Sequence, residues 1–243
     1  MRSASVVNPC RSRGCTPALR ITQRCSYGGV ISPLLSNIYL QTLDRAFADG
    51  AHGTLVRYAD DFVVICSSQT QARVAQELAG SVLAGLGLQL HPDKTKVVDL
   101  REGREGFDFL GCHFRARVSG RMLERGIRRY YLHRWPAQRA MKRVRAKIKA
   151  KTGRGRAGVD IRDVIAEINP ILRGWGNYFR TGNAAMKFIQ IDFYVVRRLR
   201  GLMFRRYGRN LRPGQWKLWT REFFEAHGLY RLRGTIRYPE AAL

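Results

Sequence analysis

Two carboxylates stand side by side in Tyr58-Ala59-Asp60-Asp61, flanked by the runs Thr54-Leu55-Val56-Arg57-Tyr58 and Phe62-Val63-Val64-Ile65-Cys66. Both runs are rich in strand-forming residues, so the acidic pair falls at the turn of a tight hairpin. Adjacent carboxylates in an apolar setting repel each other and are driven toward protonation unless a cation joins them. Their hard oxygens suit Mg²⁺. Two such ions held about 3.5–4 Å apart promote in-line phosphoryl transfer: one activates a hydroxyl, the other holds the phosphate, and both neutralise developing charge. A solvated Asp-Asp turn is the plainer alternative, so the surrounding elements have to decide.

Upstream lies Gly28-Gly29-Val30-Ile31-Ser32-Pro33-Leu34-Leu35-Ser36-Asn37-Ile38-Tyr39-Leu40. The glycine pair marks a turn or a close backbone approach. Ser32 can cap a helix whose first position is Pro33. Leu34, Leu35, Ile38 and Leu43 give that helix an apolar stripe, and Asp49-Gly50 ends it. After the hairpin, Val74, Leu78, Val82, Leu83 and Leu86 share one helical face, ended by Gly85 and Gly87. Residues 88–100 read as loop and strand, and Phe107 to Phe114 alternates as a further strand or hairpin. Residues 1–25 show no hydrophobic period and read as a loose basic lead-in.

From about residue 125 the texture is helical. Pro136 opens a helix through Met141, Val144 and Ile148, ringed by Arg139, Lys142, Arg143, Arg145, Lys147, Lys149 and Lys151. A Gly/Arg-rich linker follows over 152–158. Asp160 caps a helix containing Ile161, Val164, Ile165 and Ile168. Asn169-Pro170 is expected to break it, with a second helix through Leu172, Trp175, Tyr178 and Phe179. Asn183 is expected to cap a long helix over 184–207, and another helix runs from about Gln215 to His227.

Charge divides the chain as sharply as periodicity does. The net charge is +26. Residues 1–120 hold 14 Lys/Arg against 10 Asp/Glu, and residues 121–243 hold 30 against 8. So strong and one-sided a field attracts a polyanion, and counterion release from phosphates supplies salt-dependent affinity. An anionic membrane surface is the lesser rival, and no run of 18 apolar residues predicts a membrane span. The five cysteines form no CxxC pair, and His113, His133 and His227 show no ligand spacing, so zinc is not expected. Cys66 and Cys112 lie in apolar runs as small core residues. Reduced thiols suit a cytosolic chain, nucleoid-associated in a bacterium; the Arg-rich, acid-free start resembles an organellar transit peptide only weakly.

Taken in order, these blocks resemble the C-terminal part of group II intron reverse transcriptase/maturases. Gly28 to Leu40 resembles the fingers/palm block before the catalytic hairpin, and Arg57-Tyr58-Ala59-Asp60-Asp61-Phe62 resembles the hairpin itself. Leu86 to Val97, with His91-Pro92-Asp93-Lys94-Thr95-Lys96, resembles the next block, and Phe107-Asp108-Phe109-Leu110-Gly111 the primer grip. Ile168 to Phe179 resembles the signature of the maturase domain, which doubles as the polymerase thumb. The resemblance implies an α+β fold: a partial polymerase palm, built of a β-hairpin with helices, followed by a basic all-α thumb/maturase domain. The implied segments are an unmatched basic 1–27, a palm over 28–125 and the helical domain over 126–243.

By position, the resemblance implies Asp60 and Asp61 as catalytic ligands of two Mg²⁺ ions. It places Tyr58, Lys94, Leu110 and Gly111 about primer and incoming nucleotide, and Gly28 and Gly29 against the template. For RNA contacts the sequence offers Arg139, Lys142, Arg143, Arg145, Lys147, Lys149, Arg173 and Arg180. Trp175, Tyr178 and Phe179 read as core before they read as stacking surfaces. Implied partners are group II intron RNA, a DNA primer or target, and deoxynucleoside triphosphates.

The sequence also departs from the family. No Asp or Glu precedes Asp44, so the palm aspartate that completes the metal cage is not matched, and Tyr27 stands where the family places Gln. No nuclease-like tail follows the helical part. The expectation is therefore a chain without polymerase activity alone, complemented by a separate N-terminal reverse transcriptase fragment. A non-catalytic RNA-binding maturase module and a truncated relic remain the alternatives.

Overall fold

The computed structural model describes residues 3–7, 9–10, 32–118 and 120–237. The elements in chain order are β1 (Ser3–Val7), β2 (Pro9–Cys10), α1 (Ser32–Tyr39), α2 (Gln41–Ala46), β3 (Thr54–Tyr58) and β4 (Asp61–Cys66). There follow α3 (Gln69–Gly85), β5 (Gln89–Leu90), β6 (Lys96–Val98), β7 (Gly106–Phe109), β8 (Cys112–Val118), α4 (Gly120–Leu123) and β9 (Tyr130–Pro136). The remainder is α5 (Gln138–Lys151), α6 (Ile161–Phe179), α7 (Ala185–Tyr207) and α8 (Arg221–Ala226). The fold is α+β, as its sequence pattern indicated. It forms two compact units, one comprising residues up to 110 with 115–132, the other 111–114 with 133–243.

In the first unit, a sheet ordered β3-β4-β1-β6 carries the hairpin, and β4 is its pivot. Period-2 alternation sends Phe62, Val64 and Cys66 into a core with Leu43, Phe47, Ala75, Ala79 and Leu83 of α2 and α3 and the loop after α2. Val63 goes to the opposite face, with Ile65, Leu100, Phe107 and Phe109 packed around it. Asp61 shares the parity of Val63, which puts it at the end of that second face. Gly53 leads into β3 with φ +108, and a Cβ there would come within 2.8 Å of the Ile65 carbonyl oxygen. Only glycine lets the chain enter the sheet so close to β4.

Three expectations change here. The start of the chain is not a loose lead-in throughout. Residues Ser3–Val7 form a strand that pairs antiparallel with β4 on one side and β6 on the other. Its backbone groups are satisfied on both edges, a source of stability that a five-residue run of small residues does not announce through periodicity. The buried face of α3 is Ala72, Ala75, Ala79 and Leu83, whereas Val74 is exposed. Short side chains let a helix lie close against a sheet, so alanines, not the larger Val74, take the contact. On α1, Leu34, Leu35 and Ile38 are exposed, while Leu43 of α2 is fully buried.

The second unit is built on an amphipathic frame. Helix α6 buries Ile161, Val164, Ile165, Ile168, Leu172, Gly176 and Phe179, one stripe along a helical face. They meet Met141, Val144 and Ile148 of α5 and Phe188, Ile191, Val195 and Leu199 of α7 in one core. Asp160 does cap α6, its carboxylate accepting from the Arg162 amide at 2.8 Å.

The break at Asn169-Pro170 does not occur: α6 runs through Pro170. Proline in a helix interior costs roughly 3 kcal/mol, and the flanking Ile168 and Leu172, both fully buried, offset it. The Asn169 side chain adds a clamp, donating to the Gly228 carbonyl at 2.8 Å and accepting from the Tyr230 amide at 2.9 Å. Nor does Asn183 cap α7. Its backbone N–H donates to the Arg134 carbonyl at 2.7 Å, and the N-cap position is Ala184, without a side-chain cap. A buried Asp192 on α7 accepts from the amides of Leu232 and Arg233, each at 3.1 Å, and anchors the chain's last described turn.

Candidate active site

The hairpin turn is the shortest that antiparallel strands allow. Tyr58 pairs with Asp61, leaving only Ala59 and Asp60 between them. Ala59 sits at φ +53, in the left-handed region that a side chain disfavours by roughly 1–2 kcal/mol. Arg57 holds it there. Its Nη1 donates to the Ala59 carbonyl at 2.8 Å and to Asn37 Oδ1 of α1 at 3.0 Å. Its Nε donates to Asp44 Oδ1 of α2 at 2.8 Å, and its Nη2 bonds the other Asp44 oxygen. The hydrogen bond to Asp44 raises the Arg57 pKa above its ordinary value, against a smaller lowering by burial. One guanidinium therefore ties the turn to two helices.

That geometry presents Asp60 exposed and Asp61 half-buried. Burial pushes the Asp61 carboxyl up from its ordinary range, the charge of Asp60 pushes it further, and Lys94 pulls it back. Lys94, far along the chain, is thus close enough to act on Asp61 electrostatically. It is exposed, in a turn where its amide donates to the His91 carbonyl at 3.1 Å. Tyr58 is 67% exposed beside the pair. Gly28 and Gly29 lie outside the described residues. The two aspartates offer the hard oxygens that Mg²⁺ takes, and a divalent cation would remove the repulsion that raises Asp61. Among the described residues, no third His, Cys, Asp or Glu joins them to form a metal-binding group.

The remaining polymerase-type residues form a second turn. Leu110 and Gly111 connect β7 and β8 with φ of 48 and 74, the conformation of a two-residue hairpin turn with both residues left-handed. The Gly111 carbonyl accepts from the Ala137 amide at 2.9 Å.

On α5, Arg139, Lys142, Arg143, Lys147 and Lys149 are exposed, and no ion pair among the described residues engages them. Arg145 is half-buried, with its guanidinium 5.8 Å from the centre of the Tyr194 ring. Lys151 pairs instead with Glu167, at 2.8 Å. Arg173 lies over the Tyr230 ring at 5.4 Å, and the Arg180 carbonyl accepts from Arg237. Trp175 and Phe179 pack on each other, and Trp175 packs on Phe188, as core residues; Tyr178 is 59% exposed. What the sequence alone did not reveal is the clamp Asn37–Asp44–Arg57. Its one visible signal is an arginine inside an otherwise apolar strand, which demands a buried partner.

Two regions of the chain match known families. Residues 8–114 match "Reverse transcriptase (RNA-dependent DNA polymerase)", and residues 141–221 match "Group II intron, maturase-specific domain". The first match begins well before Gly28, inside the segment expected to be unmatched. Comparison with curated proteins gives no significant match. Among solved structures, the chain is similar to a chain of the telomerase from Candida albicans in complex with a TWJ fragment of telomeric RNA. The identity is 14% and the TM-score 0.32; the match covers 71% of this chain and 28% of that one. No helix among the described residues is long and apolar enough to cross a membrane.

Proposed function

We propose, on the premise that this chain belongs to the group II intron reverse transcriptase/maturases, that its helical unit grips intron RNA while its palm hairpin supplies two carboxylates of a nucleotidyl-transfer site. The observation that carries the RNA reading is the row of unpaired, exposed cations on α5, set in a half of the chain with 30 Lys/Arg against 8 Asp/Glu. Cations without carboxylate partners remain available to phosphates, and each phosphate neutralised adds salt-sensitive affinity.

In the palm, Asp60 and Asp61 would hold Mg²⁺. When bound, the metal would polarise phosphate oxygens and lower the pKa of a hydroxyl nucleophile. The chain's own residues do the positioning. Arg57 fixes the turn that carries both carboxylates. Lys94 adds a cation suited to a triphosphate, and exposed Tyr58 offers a ring beside a primer end. Among the described residues no third carboxylate joins the pair, and a complementing reverse transcriptase fragment would supply it. RNA binding is therefore the activity proposed for this chain by itself, and DNA synthesis the activity it shares. The family reading brings intron RNA, a primer and deoxynucleoside triphosphates as partners, and with them a nucleoid-associated, cytoplasmic location.

The test is a salt titration of binding to a group II intron RNA, with excess tRNA as competitor. Replacing Lys142, Arg143 and Lys147 together by Gln removes three phosphate partners. It should lower the slope of log affinity against log salt by about 2–3. Asp60→Asn and Asp61→Asn should leave affinity unchanged. Binding that tRNA competes away, or that ignores the triple variant, would overturn the assignment of RNA recognition to α5.

A further inference from the structure

Helix α7 carries a second face beside the one it buries in the core. Gln190, Phe193, Tyr194, Arg197, Arg198, Gly201 and Arg205 recur at helical spacing along one side of it. That side, together with Arg145 and Lys149 of α5, lines two adjoining clefts of about 560 and 370 Å³, which share Tyr194 and Arg197. The guanidinium groups of Arg145 and Arg197 lie 5.8 and 5.6 Å from the centre of the same tyrosine ring. No carboxylate lines either cleft. Arg145 Nε is buried with no hydrogen-bond partner. Phe193, beside them, is 64% exposed, although the Arg221 guanidinium stacks at 5.0 Å from its ring centre.

Two cations on one ring, one with an orphaned donor and no carboxylate lining the clefts, leave positive charge that an anion can meet. An exposed aromatic beside that anion site calls for a flat apolar group. A phosphate with a base attached satisfies both, and the larger cleft is of the size that holds a molecule of that class, within about 300–1,000 Å³. We propose that this groove binds an unpaired nucleotide of the RNA: its phosphate between Arg145 and Arg197, its base stacked on Phe193. The proposal rests on the RNA-binding reading and deepens it. A fully paired duplex keeps its bases stacked internally and offers only its backbone, so it engages the arginines and leaves Phe193 unused.

The experiment uses the whole chain and two labelled probes, a ten-nucleotide single-stranded RNA and a perfect RNA duplex, across a salt series. Phe193→Leu should weaken single-strand binding about tenfold with no change in salt slope, while leaving duplex binding as it was. Phe193→Tyr should restore it. Arg197→Gln should lower the single-strand salt slope by about 0.7. Both side chains are exposed, and circular dichroism checks that the variants fold. Equal effects of Phe193→Leu on both probes, or an unchanged slope for Arg197→Gln, would overturn the groove. If these variants match wild type while the α5 triple variant loses intron RNA, only this inference fails. Wild-type chain that binds no RNA at all would sink the underlying RNA reading instead.

Discussion

The hairpin turn and the α5/α7 groove are built on the same electrostatic idea with opposite sign. In the turn, Asp60 and Asp61 crowd negative charge, and burial compounds the strain on Asp61. In the groove, Arg145 and Arg197 crowd positive charge around Tyr194. The acidic pair is costly without a counter-charge and becomes favourable with one, whereas the tyrosine ring already attracts both arginines. They differ in what holds them. The acidic pair hangs on a polar clamp, Arg57 bonded to Asp44, Asn37 and the Ala59 carbonyl. The basic pair stands on helices locked by an apolar core. A polar clamp fails when one partner is lost, whereas a packed core spreads the loss over many contacts.

That contrast can be broken first at Arg57. Arg57→Ala leaves Asp44 without its bidentate partner and frees the left-handed turn, a loss of about 2 kcal/mol from the first unit. Chemical denaturation followed by far-ultraviolet circular dichroism should show it. Trp135, Trp175, Trp216 and Trp219 all lie in the second unit, so the fluorescence transition should stay in place. A fluorescence midpoint that moves by the same amount would mean the two units unfold together and would erase the distinction. The next effect in size is Asn169→Ala, which removes two hydrogen bonds to backbone and should cost the helical unit about 1 kcal/mol. Here the fluorescence midpoint should move.

The smallest effect carries a sign. The folded-state pKa of Asp61 is raised, so the native chain holds its proton more tightly than the unfolded chain does. Stability from this group is then lost as pH rises from the ordinary carboxylate value through the raised one. Asp61→Asn should therefore be slightly more stable than wild type at pH 7 in chelator. The advantage should vanish at pH values below the ordinary carboxylate range. Mg²⁺ should narrow the gap at pH 7 by stabilising wild type. A variant less stable than wild type at pH 7 in chelator would show that Asp61 is not strained.

How much of this was legible depended on where partners lie in the chain. Asp60 and Asp61 are adjacent, so their repulsion can be read from four letters. The partners of Arg57 lie 13 and 20 residues upstream, and Arg145 meets Tyr194 across 49 residues; only the fold brings such groups together. The α6 stripe is plain in its spacing, but the helix continues through Pro170 against local propensity, which outweighs packing only where packing is weak. The five residues of β1 were too few and too small to show a period, although they occupy the middle of the sheet. The resemblance set Lys94 near the incoming nucleotide, but its tie to Asp61 was not legible, since nothing in either residue's neighbours points to the other.

Gly174 and Gly176, two residues apart in α6, face opposite constraints. A Cβ at Gly176 would lie 2.7 Å from Leu232 Cδ2, while one at Gly174 meets nothing within 4 Å. In terms of evolutionary drift, a side chain at position 176 requires the buried Leu232 side chain to shift. Position 174 is open, and alanine there would even favour the helix by roughly 0.5–1 kcal/mol. If glycine persists at 174 among descendants of this chain, the fold is not what keeps it. The reason would lie outside the protein, in something pressed against the exposed side of α6 closely enough that a methyl group does not fit.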